Sequence, residues 1–138
     1  MQIVLTRDPI TPEQKALREL DAAVDTARGR HVEWIDGEPR YKVEQEGRLR
    51  EWHLCMAYSS RPSDTDYLIR IGVDRFGAHE YDRPVFKSWA LRLPDNTLRY
   101  YADFHTAITP GGAGATFGEA ICRAFLAAAK EEQREARR

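Results

Sequence analysis

The sequence predicts an α+β fold, an antiparallel sheet of four to five strands flanked by an N-terminal and a C-terminal helix. Three observations carry this reading. Thr11 to Gly29 has the punctuation and apolar spacing of a helix. Residues 32–105 alternate apolar and polar side chains in short runs broken by turn residues. Thr116 opens a second helix with its own capping signal.

The first helix spans 12–28. Thr11 caps it, Pro12 suits the first helical position, and Gln14 completes a capping box. Leu17, Leu20, Val24 and Ala27 then line one face, and Gly29 stops the helix. Residues 1–10 read as a short strand or an arm. Val32 and Trp34 lead through the Asp36-Gly37 turn to Tyr41 and Val43, a hairpin, with a further turn at Glu46-Gly47. Residues 52–58 alternate as a strand, 59–66 have loop composition, and Tyr67, Ile69, Ile71 and Val73 alternate as another strand. Asp74 to Pro84 reads as a loop. Val85 to Leu93 and Leu98 to Phe104 form two strands around a Pro94-Asp95-Asn96 turn. Thr109 to Ala115 reads as a small flexible loop. Thr116 to Glu119 is the second capping box, and Ile121, Phe125 and Ala128 are the buried face of the last helix. Residues 130–138 alternate in sign, as a solvated, frayed helix end does.

Composition bounds the function. The chain has 138 residues, which suits one domain, and 21 Lys+Arg against 22 Asp+Glu, a formal net charge of −1. Signs are mixed locally, so no basic footprint marks a nucleic-acid or membrane-surface binder. No apolar run approaches the ~18 residues of a membrane-spanning helix. Cys55 and Cys122 form no C-x-x-C pair and read as free, packed thiols in a reducing cytoplasm.

The last helix carries the most specific text, Ala115-Thr116-Phe117-Gly118-Glu119-Ala120-Ile121-Cys122-Arg123-Ala124-Phe125-Leu126-Ala127-Ala128. It resembles the C-terminal signature of the phage ABA (alpha–beta–alpha) sandwich domain family, Thr-x-x-x-Ala-Ile-Cys-Arg-Ala-x-Leu. Arg18-Glu19-Leu20-Asp21-Ala22-Ala23-Val24 resembles that family's opening helix. Family members carry Tyr-Ser-Thr-Asp followed by a helix; here Tyr58-Ser59-Ser60 stands apart from Thr65-Asp66. The resemblance implies a sandwich fold and a bacteriophage or prophage origin, hence the cytoplasm of a bacterial host cell. It supplies no catalytic residues.

Two groups of residues are candidate sites. Gly111, Gly112, Gly114 and Thr116 open a helix, where exposed amides favour an anion such as a small nucleotide; the alternative is a plain connector. Arg99, Tyr101, Asp103 and His105 share one strand face. Asp103 beside His105 has the makings of a general-base pair, against the alternative of an ordinary wet sheet face. His53-x-Cys55 and His79-Glu80-x-Asp82 are too incomplete for a metal site, and no metal or cofactor is expected. Trp52, Trp89, Tyr67 and Tyr100 fall on apolar faces and read as core. Trp34, Tyr41, Tyr58 and Tyr81 lie near turns and read as partner-surface candidates. The leading expectation is a non-enzymatic accessory protein that binds a partner protein, with a counter-defence role by analogy. A nucleic-acid-binding module is the first alternative, although the last helix lacks the lysines a double-stranded RNA binder uses. A small hydrolase or transferase using His105 and Asp103 is the second. An edge strand rich in Tyr and Trp would favour a homodimer.

Overall fold

The computed structural model describes residues 10–44, 51–76, 86–104 and 111–137. Helix α1 (Pro12–Ala27) forms behind the expected box: Thr11 Oγ1 accepts from the Gln14 amide at 3.1 Å, and Gln14 Oε1 accepts from the Thr11 amide at 3.0 Å. Strands β1 (Val32–Ile35) and β2 (Glu38–Val43) form the expected hairpin. Asp36 and Gly37 both take positive φ, 52° and 76°, as a two-residue turn between twisted strands requires. Strand β3 (Glu51–Leu54) pairs with β2 and completes a three-stranded antiparallel sheet.

Next comes helix α2 (Pro62–Phe76), where the alternation of Tyr67, Ile69, Ile71 and Val73 suggested a strand. Thr65, Leu68, Gly72 and Phe76 are its buried residues, spaced as one helical face, while the β-branched residues flank them half-buried. Strands β4 (Lys87–Arg92), β5 (Leu98–Asp103) and β6 (Gly112–Gly114) make a second antiparallel sheet in that order. Part of the expected glycine loop is therefore a strand. Helix α3 (Phe117–Ala136) starts at the Thr116 cap, whose side chain accepts from the Glu119 amide, and ends within the 130–138 segment read as a solvated helix end.

The described residues are thus α+β with three helices, and the expected sheet of four to five strands is, among them, instead two sheets of three. Helix α1 backs the first sheet, α3 backs the second, and α3 packs on both α1 and α2. The two sheets do not touch among the described residues. Val24, Leu68, Phe104, Ile121 and Phe125 are fully buried between the helices. The ring of Phe104 lies so close to Gly72 that a Cβ there would overlap it. The expected turn at Glu46-Gly47, the arm at 1–9, most of the 74–84 loop and His79, Glu80, Tyr81 and Asp82 lie outside the described residues.

The aromatic assignments change with the fold. Tyr58, read as a surface candidate, is fully buried. Tyr67 and Trp89, read as core, are exposed, and Trp52 is half-exposed. Periodicity shows which side chains share a face, not whether anything packs on that face.

Candidate functional site

A buried polar cluster ties α1 to the turn before α2. Asp21 and Asp25 are both 0% exposed. Asp21 Oδ1 accepts from the Ser59 amide at 2.8 Å and Oδ2 from Arg18 at 2.8 Å, while Arg18 also donates to the Cys55 carbonyl at 3.0 Å. Burial raises the Asp21 pKa against the opposing pull of Ser59 and Arg18. Tyr58 donates to Asp25 Oδ1 at 2.7 Å and accepts from Arg28 at 2.5 Å; Arg30 donates to the same oxygen at 3.0 Å. Asp25 Oδ2 accepts no hydrogen bond among the described residues. The Cys55 thiol is pushed up to about 12, by burial first and by Asp25 second. A thiol held that far into its neutral form is no nucleophile at pH 7. The Cys122 pKa is raised as well, by burial. This cluster is a clamp for the fold, with its charges turned inward.

Gly112 and Gly114 acquire a packing role. They stand opposite Ala102 and Tyr100 on the side of β6 that meets α3. A Cβ on Gly112 would strike the backbone of Ala120 and Ala124, and one on Gly114 would come within 2.6 Å of Glu119 Cβ. The Gly-x-Gly spacing follows the period of two of a strand lying against a helix. Thr116 caps α3, and Glu119 Oε2 accepts from the Ala115 amide at 2.8 Å. The chain's own carboxylate therefore occupies part of the place an anion would take. Arg99 meets the glycines: Arg99, Gly111, Gly112, Gly114, Glu119 and Arg123 line one concavity of about 660 Å³. Arg123 donates to the Ala113 carbonyl at 2.6 Å. A wider concavity of about 980 Å³, between α1 and the β1–β2 hairpin, is lined by Ile10, Leu17 and the partner-surface candidate Trp34 with Arg18 and Glu38, and by neither the candidate glycines nor Arg99, Tyr101 or Asp103.

Arg99, Tyr101 and Asp103 share the face of β5 that points away from α3, together with Lys87, Trp89 and Leu91 of β4. His105 lies outside the described residues, and Asp103 is 6% exposed. His53 stacks on Tyr41 and bonds Glu51 at 3.2 Å, while Cys55 lies buried beside Asp25. No group of three His, Cys, Asp or Glu suited to a metal forms among the described residues.

Alternation alone did not single out β4. Every residue of it is exposed, so it contributes nothing to the core. It nonetheless carries Trp89, 37% exposed, and Leu91, 51% exposed. The Trp89 ring stacks on Tyr101, centroids 5.5 Å apart and planes 10° from parallel, and Arg99 stands beside Leu91 in register.

No protein-family model, no curated protein and no solved structure matches the chain.

Proposed function

We propose that this chain is a phage or prophage accessory protein that acts by binding, and that it holds a partner protein against the outer face of β4–β5. The observation that carries the reading is the Trp89–Tyr101 stack, displayed with Leu91 and Arg99 on a strand the core does not use. Trp, Tyr and Arg dominate the energetic centres of protein interfaces, and preorganised aromatics lose little entropy on binding. The phage origin rests on the resemblance of the two helix texts, and the counter-defence role on analogy with other small phage proteins. In support, a helix follows Tyr58-Ser59, as that family's layout has it. No described helix is long and apolar enough to cross a membrane.

The test compares the wild-type chain with Trp89→Ala. Proteins of a bacterial lysate retained by wild type are purified and titrated by calorimetry. A true partner binds saturably and loses affinity about 30-fold or more with Trp89→Ala, the size of an interface hot spot. Equal affinity for the two chains, or no purified protein that binds, sinks the reading.

A small anion at the Arg99–Gly112–Arg123 concavity is the runner-up. It is weakened by Glu119, which stands in that concavity. Nucleic-acid binding is weaker again, because the formal charge is −1 and β4–β5 sets Lys87 beside Asp103.

A further inference from the structure

Strand β4 has one edge that no described strand covers. The direction of its backbone groups follows from the hairpin. The Leu93 amide donates to the Thr97 carbonyl at 2.8 Å, and hydrogen-bonded pairs then recur at every second residue. Leu91 with Arg99, Trp89 with Tyr101 and Lys87 with Asp103 are those pairs. The amides and carbonyls of Ser88, Ala90 and Arg92 therefore point away from β5, toward the uncovered edge.

Natural sheets blunt such edges with central charges, proline, bulges or shortness. Strand β4 has six residues, and its middle, Ser88-Trp89-Ala90-Leu91, is uncharged. The other edges differ. Strands β1 and β3 have four residues and carry Glu33 and Glu51, and β6 has three and packs on α3.

We propose that β4 pairs antiparallel with β4 of a second copy, about a two-fold axis at Ala90, to make one continuous six-stranded sheet. Ser88 then bonds Arg92 of the other copy, and Ala90 bonds Ala90. This is the one register in which all three outward-facing residues find partners within the strand. On the outer face it sets Trp89 opposite Leu91, in the closer, non-hydrogen-bonded positions where side-chain contact is strongest. Charge agrees. Arg92 faces Ser88 and Lys87 faces Leu93, so no like charges oppose each other. Lys87 also lies diagonal to Asp95 in the 93–97 turn of the second copy, within reach of a long side chain. The pairing uses the edge and leaves the outer face open, so two Trp89–Tyr101 stacks line up across one surface. It goes beyond the partner-protein reading and does not depend on it.

Sedimentation velocity on the full chain, at tens of micromolar, tests the pairing. Wild type is expected to sediment as a dimer. Ala90→Pro is expected to sediment as a monomer with an unchanged circular dichroism spectrum, because the lost amide bonds nothing in β5. Disulfide trapping gives an independent reading should that variant misfold. Ala90 and its symmetry mate would lie about 5.5 Å apart at Cα, inside disulfide range. Cys55 and Cys122 are both buried and do not compete. Ala90→Cys is expected to crosslink on mild oxidation and Arg92→Cys, remote from its own mate, is not. A monomeric wild type, a folded Ala90→Pro dimer, or equal crosslinking at both positions overturns the proposal. None of these results touches the calorimetric test of the partner protein.

Discussion

Replacing Asp25 with Ala would remove the acceptor on which the buried cluster converges. Its Oδ1 takes the Tyr58 hydroxyl at 2.7 Å and Arg30 at 3.0 Å, with Arg28 at 3.6 Å. Breaking a buried charge pair costs about 3–5 kcal/mol, because the remaining charges stay desolvated without compensation. Two features place this site at the lower end. The side chains of Arg28 and Arg30 are 14% and 28% exposed, so both can regain water. Oδ2 accepts nothing among the described residues, so the wild type already bears part of that carboxylate's desolvation. The expected loss is about 3 kcal/mol, against a total stability of roughly 5–15 kcal/mol for a domain. Tyr58→Phe keeps the ring and removes the hydroxyl that donates to Asp25 and accepts from Arg28, an expected loss of about 2 kcal/mol. The two changes share one interaction, so the double variant should lose about 1–2 kcal/mol less than the sum. Urea unfolding followed by the fluorescence of the three tryptophans measures all three variants. A loss below about 1 kcal/mol for Asp25→Ala, or strict additivity, would show that the cluster is not the clamp argued here.

Gly118→Ala tests the contact between α3 and the turn at 58–60. Helix propensity alone predicts a gain of up to about 1 kcal/mol. The new Cβ would strike the Ser59 carbonyl, so a net loss of about 2 kcal/mol is expected in the same assay, and an equally stable variant would refute the contact. Stability should also fall in alkali. The native pKa values of Cys55, Cys122 and Tyr58 lie above their ordinary values of 9.0, 9.0 and 10.0. For all three, burial is the largest cause. Groups raised on folding contribute stability that is complete below the unfolded pKa and is lost as pH rises through the folded one. Each proton is worth about 1.4 kcal/mol per pH unit, so the two thiols together should remove about 3 kcal/mol by pH 10. Equal denaturation midpoints at pH 8 and pH 10 would contradict this.

The helix texts that carry the family resemblance are made largely of these structural contacts. Arg18 and Asp21 hold the backbone at 55–59, Gly118 lets α3 approach Ser59, and Ala120, Ile121, Cys122 and Ala124 are core. Such text reports how the chain folds more than what it binds. Of the candidate residues, Arg99, Gly111, Gly112 and Gly114 share a concavity, a juxtaposition that the fold supplies and the sequence leaves open. Trp89 reads as core in the sequence because it falls on the apolar face of a strand; it is the exposure of β4 on both faces that moves it to the surface.

What the sequence determined by itself was local. Caps at Thr11 and Thr116, the Asp36-Gly37 turn and the apolar stripes of α1 and α3 involve residues within four positions of one another, so short windows reveal them. Residues 62–76 satisfied two local patterns, and only tertiary packing chose between them: Gly72 against Phe104, with Leu68 and Phe76 in the core, requires a helix. The division into two sheets, the burial of Tyr58 and the exposure of β4 were decided in the same way. Each depends on what lies across the molecule, because burial is a property of neighbours far apart in the chain.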